Sequence, residues 1–236
     1  MTDSTRLSKR VAELRACSRR DAELTITGGW VRVDGVVIEE PQFRVTDQRI
    51  EIDPRADLAQ AEPVTLLLHK PAGCAMTDAL PLLSPAALWA DTGSNIRPLK
   101  KHFAQLTVCV PLETDAAGLV VFTQDWRVAR KLLDAAATLE HEVIVEVAGE
   151  LMPNGLKRLN QGIPYNGRTP PAIKVSWQNE TRLRVALKGA QIGQIAHLCE
   201  AVGLQVVSMK RIRLGGISMG KLPSGQWRYM REDERF

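Results

Sequence analysis

V-C-V-P-L-E-T-D-A-A-G-L-V-V-F-T-Q-D, running from Val108 to Asp125, is the stretch on which both fold and chemistry turn. Two apolar runs flank a short polar segment that ends at Gly118. Val108 to Leu112 and Leu119 to Thr123 are rich in β-branched and apolar side chains, which predicts two buried strands. Glu113 and Asp115 stand between them. A carboxylate on a loop held by buried strands is well placed for chemistry. The same spacing also suits an ordinary turn with solvated acids.

Downstream, Leu132–Glu140 reads as a helix, Val143–Val147 as a strand, Leu151–Gly162 as a helix-like piece and Arg182–Leu187 as a strand. Ile192, Ile195, Leu198, Cys199 and Val202 then form an apolar stripe at helical spacing, stopped by Gly203. The tail from Val206 is basic at Lys210, Arg211, Arg213, Lys221, Arg228 and Arg231, with no acid until Glu232. Gly215-Gly216 and Gly220 fit no nucleotide-binding spacing. Upstream, Val64–His69 reads as a short buried strand that leads into the turn His69-Lys70-Pro71-Ala72-Gly73. Asp78 to Lys101 is less regular and ends in a basic cluster, Arg97, Lys100, Lys101 and His102, which suits either an RNA contact or a plain loop.

The first 55 or so residues have a different texture. Leu7, Val11 and Leu14 share one face of a helix over Arg6–Arg15. Ser18, with Asp21 three residues on, reads as the N-cap of a second helix from Arg19 to about Thr27, ended by Gly28-Gly29. Trp30–Val33, Asp34-Gly35 and Val36–Ile38 read as a hairpin, and Arg49–Asp53 as a third strand. Arg6, Lys9, Arg10, Arg15, Arg19 and Arg20 crowd onto the two helices, offset before Asp21 only by Glu13. Such density favours phosphate contact over a merely solvated face. Residues 53–63, polar, alanine-rich and bounded by prolines, look like a linker.

The chain has 236 residues and a formal net charge of +4, a slight bias towards a polyanionic partner. No apolar run approaches the roughly 20 residues of a membrane helix, and the N-terminus lacks the apolar core of a secretion signal. A cytoplasmic protein with no membrane partner is expected. Cys17, Cys74, Cys109 and Cys199 are far apart and the four histidines are scattered, so neither zinc nor any other metal is expected.

R-L-S-K-R-V-A-E-L-R-A-C-S-R-R-D-A-E-L and the later G-W-V-R-V-D-G-V-V resemble the small RNA-binding domain of the ribosomal protein S-four type. His69-Lys70-Pro71-Ala72-Gly73 with Thr77 resembles the N-K-P-x-G segment of ribosomal RNA pseudouridine synthases of the RsuA/RluF type, whose members carry that same N-terminal module. The opening stretch is similar to the family's G-R-L-D-x-D-T-x-G-L-L-L-L-T-N-D, matching at Leu112, Asp115, Gly118, Leu119, Thr123 and Asp125. H-E-V-I-V-E-V-A-G is similar to K-x-Y-x-V-x-V-x-G, Gly167–Ala172 to G-x-x-T-x-P-A, and Q-I-G-Q-I-A-H-L-C-E-A-V-G to N-R-Q-I-R-R-M-C-E-x-x-G. L-P-S-G-Q-W-R-Y-M is close to the family's last strand.

The resemblance implies an α+β protein. A helix–helix–hairpin RNA-binding domain over 1–55 and a linker over 56–63 would precede a synthase domain over 64–236, with a mixed, mainly antiparallel sheet flanked by helices. It implies structured RNA, ribosomal RNA above all, as partner, a monomer, no cofactor, and isomerisation of uridine to pseudouridine as the ancestral reaction. Arg6, Lys9, Arg10, Arg19, Arg20, Lys70, Arg211 and Arg213 would grip the RNA. The catalytic position is where the chain departs. Glu113 stands for the family's catalytic aspartate, Ala196 for the arginine that pairs with it, Val143 for the stacking tyrosine and Pro111 for the arginine that helps evert the base. Lengthening the acid by a methylene displaces its oxygens by about 1 Å, enough for on the order of 100-fold in rate, and removing the partner arginine removes the fork that orients it. An RNA-binding protein with weakened or absent isomerase activity is therefore expected. A divergent synthase using Glu113, with Lys188 or Arg168 as its cation, and a ribosome-assembly interaction protein are the alternatives.

Overall fold

The computed structural model describes residues 4–56, 63–91, 96–167 and 173–236. They fall into two compact units, Met1–Pro63 with Arg97–Gln105, and Val64–Ile96 with Leu106–Phe236. The proposed linker lies almost wholly outside the described residues, as do residues 168–172 of the G-R-T-P-P-A loop.

In the first unit, strand β1 (Thr5–Arg6) leads into helices α1 (Leu7–Arg15) and α2 (Arg19–Thr27). The Ser18 hydroxyl oxygen accepts from the Asp21 N–H at 3.1 Å, so the cap read from sequence is formed, and such a cap contributes about 1 kcal/mol. Leu7 and Val11 are fully buried, but Leu14 is 53% exposed; Ser8, not Leu14, completes the inner face of α1. Strands β2 (Val31–Val33) and β3 (Val36–Val37) meet through Asp34 and Gly35, with φ of 49° and 79°. Two successive positive φ values are those of a type I′ turn, which matches the twist of a hairpin. A short strand β4 (Arg44–Val45) pairs with β1, and β5 (Ile50–Ile52) pairs with β2. Leu7, Val11, Ala22, Ile26, Val31, Val33 and Val45 form the core.

Residues 97–105 pack with this unit, although the sequence places them inside the second. The Lys100 N–H donates to Glu39 at 2.7 Å, its ammonium pairs with Glu40, and Arg97 donates to the Gly29 carbonyl at 3.2 Å. His102 is buried. Most of the cluster read as a possible RNA contact is thus taken up by acids and carbonyls of its own unit.

The second unit is built on a 9-stranded sheet. Its strands and helices are, in chain order, β6 (Thr65–Lys70), α3 (Met76–Ala79), β7 (Thr107–Cys109), β8 (Ala116–Thr123), α4 (Trp126–Asp134), β9 (Glu140–Gly149), α5 (Gly155–Gln161), β10 (Lys174–Trp177), β11 (Arg182–Lys188), α6 (Gln194–Glu200), β12 (Leu204–Leu214), β13 (Ile217–Ser218) and β14 (Trp227–Tyr229). The spatial order is β10-β11-β9-β12-β8-β6-β14, with β13 on β12 and β7 on β8. Pairing is antiparallel except between β12 and β8, so the sheet is mixed and mainly antiparallel, as the sequence implies. Val143, Val145, Val147, Val175, Val185, Leu198 and Leu204 bury one core against α5 and α6. Leu67, Leu119, Val121, Leu132, Leu214 and Ile217 bury another beside α4.

Two helices differ from their reading: α5 begins at Gly155, four residues into the segment Leu151–Gly162, and α4 is displaced. The segment Leu132–Glu140 does not begin a helix; α4 starts six residues earlier and ends at Asp134. The Asp125 carboxylate caps it by accepting the Arg127 N–H at 2.8 Å, and β9 already begins at Glu140.

Candidate functional site

Gly118 fixes the place where the two central parallel strands touch. It lies opposite Lys70 on β6 and Arg211 on β12. A Cβ at Gly118 would lie 2.5 Å from the Arg211 backbone nitrogen and closer still to its carbonyl oxygen, and φ here is +116°. Only glycine allows this approach without displacing backbone. The apolar strand β8 therefore starts hard against β12, and the loop before it, Val110 to Asp115, is pinned at the end of both.

Two buried cations hold that loop by its carbonyls. The Lys70 ammonium donates to the carbonyls of Pro71, Cys74 and Thr114 at 3.0, 2.7 and 2.9 Å, and the residue has no exposed surface. The Arg211 guanidinium, 2% exposed, donates from Nε and Nη2 to Leu119 at 2.8 and 2.6 Å and from Nη2 to Val110 at 2.6 Å. Burial pulls both cations down, Arg211 to about 9, so the guanidinium is still charged at neutral pH. Val110 itself sits at φ 53°. A β-branched residue at positive φ is strained by about 1–3 kcal/mol and persists only where its surroundings over-determine it. Here the Arg211–Val110 bond is part of that constraint.

These placements correct the sequence reading. Lys70 and Arg211 are buried, with their donors spent on main-chain carbonyls, so neither side chain is on the surface to reach phosphate. Arg213 is half-buried and pairs with Glu140 and Glu142, the second of which also pairs with Arg184. Arg213 reads as a free cation in sequence because its acids come from β9. By contrast, Arg6, Lys9, Arg10, Arg19 and Arg20 are all exposed on the first unit. Arg10 and Arg19 make only surface pairs, with Glu13 at 3.2 Å and Glu23 at 3.0 Å, which add little and leave the guanidinium groups open to a polyanion.

The second unit carries a cleft lined by Pro111, Leu112, Glu113, Ala116, His141, Val143, Ala190, Gln191, Ile192, Ile195, Met209 and Arg211. Glu113, Pro111 and Val143 thus come together in one wall, to which α6 contributes Ile195. The Glu113 Oε1 accepts the Gly193 N–H at 2.7 Å, just ahead of α6. Among the described residues it forms no ion pair within 4.0 Å. Lys188 pairs with it no more than any other described cation, and Arg168 lies outside the described residues. His141, missed in the sequence, is 4% exposed. Burial first, and then the Arg211 charge, push it down to about 4, so it is neutral at physiological pH. Its signal was available: it stands two residues before Val143 and so on the same face of β9. Tyr165 is tied to the lining residue Ile192. Its hydroxyl donates to the Ile192 carbonyl at 2.8 Å, and its ring lies 5.3 Å from that of His197.

Among the described residues no group of three or more His, Cys, Asp or Glu side chains could hold a metal ion. No described helix is long and apolar enough to cross a membrane.

Comparison with known proteins shows what the chain is similar to. The S4 domain family matches residues 5–49. The dual-specificity RNA pseudouridine synthase RluF of Salmonella typhi is 28% identical over 244 residues, covering 99% of this chain and 78% of that protein. Ribosomal large subunit pseudouridine synthase B of Bacillus subtilis is 27% identical over 238 residues, covering 97% of this chain and 93% of that protein. The crystal structure of a pseudouridylate synthase shares the fold, with a TM-score of 0.60 at 19% identity over 96% of each chain. In its S4 domain, its α+β fold and its whole-length relatives, the chain resembles the ribosomal RNA pseudouridine synthases of the RsuA/RluF type.

Proposed function

We propose that this protein binds structured RNA, ribosomal RNA in particular, through the exposed basic face of α1 and α2, and that its synthase cleft has little or no isomerase activity. The observation that carries the reading is the surroundings of Glu113. Its carboxylate is met by a main-chain N–H where the family places an arginine fork, beside an apolar wall with valine at the stacking position. Opening a duplex to evert a base costs a few kcal/mol, and the short, uncharged ring of Pro111 lacks the reach and charge of an arginine to fill the gap. The protein would act in the cytoplasm as a monomer, on RNA that it grips without rewriting.

A second reading, isomerisation by Glu113 itself, is favoured by one feature: the Gly193 N–H fixes the carboxylate in a cleft that also holds the buried Arg211. One assay separates the two. Ribosomal RNA from cells lacking the protein is incubated with wild type and with Glu113→Gln, and pseudouridine is counted by mass spectrometry. No turnover above background in either is expected. Turnover by wild type that is lost in Glu113→Gln overturns the first reading in favour of the second.

A further inference from the structure

The outer face of α4 is unexplained by the cleft and by the S4 domain. Its inner face, Val128, Ala129 and Leu132, packs into the core. Its outer face carries Trp126, 67% exposed, and Leu133, 70% exposed, with Arg130 between them at i+4 and one turn's spacing. Trp126, Arg127, Arg130 and Lys131 line one shallow groove with Asp134 and Ala135. An indole is rarely left so open, and here three cations frame it. The two acids nearby are weak competitors. Asp125 is occupied as the cap of α4 and meets the Arg127 side chain only at 3.4 Å, and Asp134 meets Arg130 only at 3.5 Å on the surface.

We propose that this face is a second RNA contact, in which an unpaired base stacks on Trp126 while Arg127, Arg130 and Lys131 meet the flanking phosphates. The assignment rests on the reading that the protein binds RNA, and adds to it a site for single-stranded rather than structured RNA, on the synthase unit rather than the S4 domain. A flat aromatic face beside cations is the arrangement that takes single strands with little regard to sequence, because every base has a π-face and every nucleotide a phosphate. A protein partner would be served by a continuous apolar patch; two apolar side chains separated by a guanidinium do not make one.

The test uses the full chain and a fluorescein-labelled single-stranded decamer of mixed sequence, the same decamer with abasic sites, and a folded ribosomal stem-loop. Trp126→Ala is expected to weaken the decamer roughly tenfold, Trp126→Phe to keep most of the affinity, and the abasic decamer to bind wild type and Trp126→Ala alike. Arg130→Glu with Lys131→Glu should weaken both decamers. Circular dichroism checks that the variants are folded, which the exposure of all three positions favours. Equal decamer affinity for wild type and Trp126→Ala would overturn the proposal. So would a Trp126→Ala variant that loses a copurifying protein while keeping RNA. If stem-loop binding persists and depends on Arg19 and Arg20, only this inference has fallen; if no RNA binds at all, the proposed function has fallen with it.

Discussion

Adding one methyl group at Gly118 should break the centre of the sheet. In Gly118→Ala the new Cβ would sit 2.5 Å from the Arg211 nitrogen, and closer to its oxygen, at φ +116°. An ordinary carbon–nitrogen contact needs about 1 Å more, so β8 and β12 must part or rotate where they pair in parallel. Alanine held at that φ adds about 1–3 kcal/mol of backbone strain, and the forced contact another 1–3 kcal/mol. Together these make roughly 2–6 kcal/mol, a large share of a typical 5–15 kcal/mol stability. Gly225 is the control. It lies in the same unit at φ +77° with open space where a Cβ would go, so Gly225→Ala should carry only the strain, about 1–3 kcal/mol. Urea unfolding followed by tryptophan fluorescence measures both, as a fall in midpoint at constant slope. Two variants that unfold at the same urea concentration would refute the reasoning, because the contact with Arg211 would then contribute nothing.

Charge reversal at Arg19 and Arg20 together should weaken binding to a ribosomal stem-loop and lower the salt dependence by about two phosphate contacts; unchanged affinity would take the S4 face out of the interface. Glu234 is 8% exposed and takes both Nη atoms of the buried Arg228 at 2.7 and 2.6 Å. Glu234→Gln should cost about 3–5 kcal/mol by leaving that guanidinium unpaired. The pair also sets an acid limit. Burial pushes the Glu234 carboxyl up, but the hydrogen bonds and charges of Arg228 and Arg231 outweigh it and hold it below its ordinary value. The pair's contribution is therefore full above the unfolded carboxyl's pKa and fades as pH falls through the depressed folded one. Urea midpoints measured from neutral pH down through the carboxylate range should drop for wild type and drop less for the variant; parallel curves would assign the acid sensitivity elsewhere.

What the sequence revealed was what is local. Asp34-Gly35 specifies its turn by the φ values those two residues tolerate, and Ser18 its cap by reach alone. What it concealed was decided by partners distant in the chain. Lys70, Arg211 and Arg213 are cations, and cations are seldom buried, so they read as surface. Lys70 is inside because the distant Thr114 carbonyl joins those of its neighbours Pro71 and Cys74 around it, and Arg211 because Val110 and Leu119 turn theirs towards it, more than ninety residues away in sequence. β12 also slips against β9 near Val206 and again near Arg211, so the alternation that would have marked Arg211 as inward is interrupted. The start of α4 is hidden for a nearer reason: Asp125 closes the apolar run of β8 and caps the next helix at once, so one residue carries both boundaries.

The same contacts bear on how the rigidity around Glu113 is to be understood. Thr114 is held by Lys70 and by the Gly73 N–H, Val110 by Arg211, and the Glu113 carboxylate by Gly193. A placed carboxylate is what a synthase needs, and it is tempting to take the placing as a sign of catalysis. Yet Lys70 and Arg211 bind no cleft occupant through the bonds they make here; they tie β6, β8 and β12 to one another, and would do so in a molecule that turned nothing over. Chemistry has to come from the side chains that face the substrate. Those include one carboxylate without an ion-pair partner among the described residues, a histidine that is neutral at physiological pH, Gln191, the buried Arg211 and a wall of proline, valine, isoleucine and methionine. The scaffold explains why Glu113 stays in place; on the function proposed above, it is the wall that would leave a well-placed acid without turnover.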